Sequence, residues 1–234
     1  MAELFYQDFG HMEYQAAVAL QEKLVVLRQQ QLAADTLLFM EHPHVYTLGR
    51  GGKMTNVLAN GEVPVYRTSR GGDVTYHGPG QLVAYPIIDL RSKLRRDVHR
   101  YLRNLESAAI RTLNDFGLEV SRRPPWTGIW LGDGKIAAIG IAVRRSITFH
   151  GLALNVNTDL SYFTRIIPCG LSWAEVTSMA KELGMDQNLA AIRERFLHNF
   201  AEIFGYHDVK EDLDNGARYI SLTNSPTIGT TGTI

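Results

Sequence analysis

Apolar positions along the chain change period several times, and each change predicts an element. From Glu13 to Arg28, Ala17, Val18, Leu20, Leu24, Val25 and Leu27 recur at helical spacing, which predicts a first amphipathic helix. Asp35-Thr-Leu-Leu-Phe-Met40, apolar without a break from Leu37, reads as a buried strand, and Val45-Tyr-Thr-Leu48 as another. Val74-Thr75-Tyr76 and the run from Leu82 to Ile88 predict strands on either side of a turn at His77–Gly80. The clearest helical stripe joins Val98, Tyr101, Leu102, Leu105, Ala108, Ala109, Leu113 and Phe116, with Thr112 its one polar position and Gly117 placed as a C-terminal cap. Gly128 to Leu131, Lys135 to Val143 and Ile147 to Val156 then predict three strands. The Gly132-Asp-Gly134 turn and the Arg144-Arg-Ser146 break between them look like hairpin connections. Leu189 to Phe204 supplies a last helix. Strands outnumber helices and arrive in hairpin-like runs, so the expected fold is α+β, a mixed or antiparallel sheet flanked by helices, rather than alternating βαβ units.

Composition narrows the class without naming a function. The 234 residues are expected to form one domain over residues 1–206, followed by a polar and flexible tail over 207–234 with too few apolar residues to pack. Twenty-four basic residues balance twenty-four acidic ones, which argues against a general nucleic-acid binder. A single cysteine cannot form an intramolecular disulfide, which points to a reducing compartment. The N-terminus has no signal-peptide pattern, and no apolar run approaches the roughly 18 residues of a membrane span. A cytoplasmic protein without nucleic-acid or membrane partners is the expectation. Charge is less even locally: Arg91, Lys93, Arg95, Arg96, Arg100 and Arg103 accompany one acid, Asp97. Such a cluster is either a solvated helix face or a docking patch for an acidic protein.

Candidate chemistry concentrates in Arg70-Gly71-Gly72-Asp73-Val74-Thr75-Tyr76-His77-Gly78-Pro79-Gly80-Gln81. Glycine at this density gives up much backbone freedom on folding and suits a sharp turn or a close approach to another group. Polar residues between the glycines favour a ligand as that group, against a plain inter-strand turn. Neither familiar phosphate cradle is present, since no Gly-x-Gly-x-x-Gly opens a helix and no Gly-Lys-Ser/Thr follows. Cys169, in Ile166-Ile-Pro-Cys-Gly-Leu171, is either a small buried hydrophobe or a nucleophile held in a fixed turn. A thiol near its reference pKa of ~8.5 is mostly protonated at neutral pH, so a nucleophilic cysteine needs a nearby cation or base. Lys135, His77 and His150 are the candidates, although a lysine at a strand border is commonly a surface residue. His42-Pro-His44 suggests a metal, but no third ligand follows at suitable spacing, and a zinc site usually needs three protein ligands. No metal site is expected.

Five segments, in order, resemble the lipoyl(octanoyl) transferases. They are Glu41-His42-Pro43 with Thr47-Leu48-Gly49-Arg50, the Arg70–Gln81 segment, Lys135-Ile-Ala-Ala-Ile-Gly140, His150-Gly-Leu-Ala-Leu-Asn-Val-Asn157 and Pro168-Cys-Gly-Leu171. The likeness spans roughly the first 205 residues; His44 stands where proline is frequent, and Ala138 where serine is also common. The resemblance implies a fold similar to the biotin/lipoate-protein ligase catalytic domain. It implies Cys169 as an acyl-thioester nucleophile and Lys135 as the residue that lowers the thiol pKa. It further implies substrate contacts from Arg70, Gly71, Gly72, Asp73, Val74, Thr75, Tyr76 and His77, from Ala138, Ile139 and Gly140, and from Gly151, Leu152 and Ala153. The implied donor is octanoyl-acyl-carrier protein. The implied acceptors are lipoyl domains of 2-oxoacid dehydrogenase E2 subunits and the glycine-cleavage H protein. Thioester exchange followed by amide formation needs no cofactor. An ATP-dependent lipoate-protein ligase and a non-catalytic acyl-binding protein are the alternatives. Two methylenes are worth only about 1.6 kcal/mol of burial, so chain-length choice should be graded unless a bulky side chain closes the pocket.

Overall fold

A computed structural model describes residues 3–168 and 174–212. Along the chain the strands are β1 (Glu3–His11), β2 (Asp35–Glu41), β3 (Val45–Leu48), β4 (Val65–Arg67), β5 (Val74–His77), β6 (Gln81–Ile87), β7 (Ser121–Arg123), β8 (Trp126–Leu131), β9 (Gly134–Arg144), β10 (Ile147–Asn155), β11 (Glu175–Val176) and β12 (Asp208–Glu211). The helices are α1 (Tyr14–Gln29), α2 (Leu90–Lys93), α3 (Val98–Asp115), α4 (Met179–Leu183) and α5 (Leu189–Phe204). Among the described residues the large sheet runs β12-β1-β2-β6-β10-β9-β8-β7, with β11 paired to β9, and a small sheet runs β4-β3-β5. Parallel pairs (β1 with β2 and β12) and antiparallel ones (β6, β8, β9, β10) make the large sheet mixed, as expected.

Successive strand residues point to opposite faces, and the two faces of the large sheet meet different partners. Leu37, Phe39, Leu82, Ala84, Leu152 and Leu154 join the core beneath α3 and α5. Leu38, Met40, Val83, Tyr85 and Ala153 turn the other way, into the cluster with Ala17, Leu20 and Leu24 of α1. Pairs β9–β10 and β8–β9 close through two-residue turns, with Arg145 (φ 49°) and Ser146 (φ 72°) in the left-handed region that such hairpins require. Helix α3 starts where the Asp97 carboxylate accepts the Arg100 amide at 2.9 Å; α5 starts at an Asn188 cap and ends on Gly205 at φ 70°. Each such N-cap contributes about 1 kcal/mol. Thr112, the polar break in the α3 stripe, accepts the Asn199 amide of α5 at 3.2 Å and donates to Ala108 O at 2.8 Å, so it links the two helices.

Two expectations change. The tail expected from residue 207 does not begin there: β12 pairs in parallel with β1, and the Asp212 amide donates to Tyr6 O at 2.9 Å. Polar side chains suit this strand because it lies at the sheet edge, where one side of the ladder faces water. Residues 213–234 lie outside the described residues. The basic run from Arg91 to Arg103 is also no single helix face, because Arg95 (φ 51°) and Arg96 (φ 65°) break it between α2 and α3. Arg91 pairs with Asp89 at 2.7 Å, and Arg103 with the buried Glu106 at 2.7 Å. Lys93 donates to Phe204 O and Gly205 O and lies 3.7 Å from the Tyr206 ring. Arg95, Arg96 and Arg100 stay exposed. Among the described residues no helix is long and apolar enough to cross a membrane.

Candidate active site

Between the small sheet and the large one lies a cavity of about 490 Å³. Its floor is made by cross-strand pairs of small residues, Ala138 with Ala153 and Gly140 with Gly151, on β9 and β10. Tyr85 and Val83 of β6 flank that floor, and its roof is the segment from Arg70 to Thr75 together with His77. The roof lies so close to the floor that a Cβ on Gly140 would stand 3.0 Å from Gly71 O and 3.0 Å from Arg70 Cδ. A side chain there would push the two sheets apart. Roof and floor are joined directly where the Gly71 amide donates to Ile141 O at 2.8 Å.

Arg70, though it borders the cavity, turns its guanidinium onto Thr47 of β3 and onto its own loop. Nη2 donates to Thr47 O (2.6 Å), Thr47 Oγ1 (2.9 Å) and Asp73 O (2.8 Å), and Nη1 donates to Gly71 O (2.9 Å). The Asp73 carboxylate accepts the Lys53 and Val74 amides and the Asn56 side chain, which ties the preceding loop to the roof. Because Thr47 Oγ1 accepts from arginine, its own proton points to His77 Nε2 at 3.2 Å, and His77 Nδ1 donates to Gln81 Oε1 at 2.8 Å. Gln81 Nε2 donates to Asn155 Oδ1 at 2.9 Å, Asn155 Nδ2 to Thr177 O at 2.9 Å, and the Thr177 amide to Lys135 O at 3.1 Å. A continuous chain of buried hydrogen bonds thus runs from the glycine-rich roof to the backbone of Lys135. A network that is satisfied throughout rigidifies its members.

Lys135 itself is buried, 6% exposed, at the start of β9, so the surface-residue alternative fails. Its Nζ lies 5.5 Å from the Trp130 ring centroid. Gly128 of β8, at φ 129°, makes the room: a Cβ there would meet Lys135 Cε at 2.6 Å. Pro168 joins Lys135, Thr75 and Asn155 around a further void of about 20 Å³. Cys169 lies outside the described residues.

Burial keeps the histidines around the cavity neutral. Desolvation lowers His42 to about 4 and His150 to about 4, and it holds His77 well below the usual histidine value, with His42 and Arg70 adding repulsion. His150 sits at φ 55°, its Nε2 3.0 Å from Ser69 Oγ and its amide donating to Gln21 Oε1 at 2.7 Å. These bonds tie it to Ser69, just before the roof segment, and to α1.

The structure brings Arg70, Gly71, Gly72, Asp73, Val74, Thr75, His77, Ala138, Ile139, Gly140, Gly151, Leu152, Ala153 and Lys135 to the rim of one cavity. Tyr76 is the exception. Strand alternation turns it away, to stack on Tyr162 at 4.8 Å and meet His44 Nδ1 at 2.7 Å in a separate apolar cluster with Tyr46 and Phe163. Thr47, Gln81 and Asn155 lie in segments that the sequence singles out, but the hydrogen bonds that join them are not legible there. Gly128 carried a signal of its own, a glycine inside a strand, which marks a close approach.

Comparison with known proteins agrees with this geometry. The Lipoyl protein ligase A/B catalytic domain family matches residues 13–201. An octanoyltransferase of Solibacter usitatus is 52% identical over 206 residues, covering 86% of this chain and 92% of the relative. One of Geobacter metallireducens is 46% identical, covering 84% and 92%. Among solved structures, lipoate-protein ligase A bound with ATP superimposes at a TM-score of 0.74 with 17% identity, covering 96% of this chain and 94% of that one. The biotin protein ligase of Aquifex aeolicus gives 0.51 with 13% identity, covering 88% and 70%. At these identities the two ligases speak for the fold alone, which is the biotin/lipoate-protein ligase catalytic fold. The match over residues 13–201 and the identity to its relatives settle the assignment: the chain belongs to the Lipoyl protein ligase A/B catalytic domain family.

Proposed function

We propose that the protein transfers an octanoyl group from a carrier-bound thioester to a lysine of a lipoyl domain, through an acyl-thioester on Cys169. The octanoyl assignment rests on relatives of 42–52% identity that are named octanoyltransferases. The observation that carries the mechanism is the buried Lys135 at the mouth of an apolar-floored cavity, sharing a void with Pro168, the residue immediately before Cys169.

In this reading the Cys169 thiolate attacks the thioester carbonyl, the bond from that carbon to the carrier sulfur breaks, and the carrier leaves as a thiol with the proton of the Lys135 ammonium. The acceptor lysine amine then attacks the enzyme-bound thioester. A nitrogen–carbon bond forms, the carbon–sulfur bond breaks, and the amine proton passes by way of Lys135. Covalent catalysis of this kind needs an activated nucleophile and a proton carrier. The ammonium of Lys135 favours the thiolate, and its neutral form takes the proton in the second half. The floor pairs Ala138–Ala153 and Gly140–Gly151 leave space for the acyl chain, and the Arg70–Thr75 roof covers it. Octanoyl-acyl-carrier protein is the donor in this proposal, and lipoyl domains of 2-oxoacid dehydrogenase E2 subunits and the glycine-cleavage H protein are the acceptors. A reducing cytoplasm keeps the lone thiol available.

The test is intact mass after mixing the protein with octanoyl-acyl-carrier protein in the absence of ATP. One hydroxylamine-labile octanoyl adduct should appear, and it should be absent from Cys169→Ala. An adduct that demands ATP and free octanoate would replace the transferase with a ligase. Turnover retained by Cys169→Ala would remove the thioester.

A further inference from the structure

We infer that Tyr85 is the residue that sets acyl chain length. The inference rests on the octanoyl-transfer reading of the cavity and adds what limits the chain within it. Strand register supplies the ruler. On β10, Leu152 pairs with Ala84 and Ala153 with Val83 of β6, so Tyr85 stands one step further on, beside Gly151. Gly151 in turn pairs with Gly140 of β9, while Ala153 pairs with Ala138. A chain entering at Lys135 therefore passes Ala138, Ala153 and Val83 first and meets Tyr85 at the Gly140–Gly151 level. Lys135 and Gly140 are five strand positions apart, roughly 16 Å at ~3.3 Å per residue. A saturated chain advances like extended backbone, ~3.5 Å in three bonds, so eight carbons reach on the order of 9 Å by the same measure. The remaining length accommodates the sulfur and the side chains that hold the thioester.

An end wall works as a ruler only if it stays in place, and Tyr85 is held on several sides. Its hydroxyl donates to His42 Nε2 at 2.9 Å, and His42 Nδ1 donates to Met12 O at 2.7 Å. Tyr14 packs edge-on against His42 at 5.4 Å, and His150 lies edge-on to Tyr85 at 6.4 Å. His42 is fully buried, so the anchor is sheltered from water. On the β9 side, the close approach of Gly71 O and Arg70 to Gly140 blocks the detour around the ring. Tyr85 thus fits the role of the bulky side chain that turns a graded chain-length preference into a cut-off.

The experiment compares kcat/KM for hexanoyl-, octanoyl-, decanoyl- and dodecanoyl-acyl-carrier protein in wild type, Tyr85→Phe, Tyr85→Val and Tyr85→Trp. Each methylene newly admitted to apolar surroundings is worth about fourfold, from ~0.8 kcal/mol of burial. Tyr85→Val should raise the decanoyl-to-octanoyl ratio by roughly fifteenfold for two methylenes, and Tyr85→Trp should shift preference towards hexanoyl. Tyr85→Phe keeps the ring and should keep the ratio near that of wild type. Opposite shifts in the two directions support the ruler, and either one suffices if the other variant does not fold. Ratios that stay unchanged in a folded Val or Trp variant, or that move as far in Tyr85→Phe, overturn it. A wild type that transfers no octanoyl fails the octanoyl-transfer reading instead, before any ratio is read.

Discussion

At the residue scale, the proposed mechanism has Lys135 act twice, so its replacement should slow both half-reactions. Losing a general acid–base group costs ~10²–10⁴-fold in rate, so Lys135→Ala should show that loss in both acylation and deacylation by single-turnover mass analysis. Lys135→Arg keeps the charge but cannot release a proton at physiological pH, and it should leave deacylation slow. A fully active arginine variant would reduce Lys135 to an electrostatic role. The buried histidines make a second prediction. His42 and His150 lie at about 4 in the folded state, against ~6.5 when unfolded. Between those values the unfolded chain binds more protons, so stability is complete above about pH 6.5 and is lost as pH falls towards 4. Each contributes at most on the order of 3 kcal/mol to that loss. Urea melts across pH 4 to 7 should show it, and His42→Gln should flatten the profile. An unchanged slope would mean that His42 is not held neutral.

At the element scale, β12 and Tyr206 fasten the sheet edge to its core, since the Tyr206 hydroxyl donates to Asp35 Oδ2 at 2.7 Å. Removing residues 207–234 strips β12 from β1 and should lower the melting temperature by several degrees; a cut after Asp212 keeps the strand and should lower it far less. Equal melting of the two truncations would show that β12 adds nothing. The sequence marked β3 and α5 at the bounds observed, because each has one dominant surrounding: both faces buried for β3, and a single apolar stripe for α5. It missed β1, whose residues are only half buried between two parallel neighbours and so show no alternation. It missed β4, β7 and β11 because two or three residues carry no period. The candidate site divides the same way. Glycines and charged residues advertised the roof and Lys135. Thr47, Gln81 and Asn155 stand in the segments that carry the resemblance, but they act through hydrogen bonds between distant strands, and nothing local names their partners.

At the scale of the whole molecule, charge bears on partner choice. With Arg91, Lys93 and Arg103 engaged by neighbouring groups, the exposed Arg95, Arg96 and Arg100 are what remains of the basic run for the carrier-bound donor of the proposed function. Replacing these three with glutamate should raise the KM for a carrier-bound donor and flatten its salt dependence, since screening acts over about 8 Å at physiological ionic strength. Transfer from a small octanoyl thioester should hardly change. Equal damage with both donors would mean that the segment supports the fold.

The cavity has a further property at this scale. Its roof belongs to one sheet and its floor to another, so neither ladder of strand hydrogen bonds runs across it. The seam is spanned by local stitches such as the Gly71 amide on Ile141 O. A gap bounded in this way widens by parting a few stitches, whereas a slot cut within one sheet would have to unzip strands. The enzyme can therefore keep a rigid scaffold on either side and still breathe at the place where, in the proposed function, a long, greasy cargo enters.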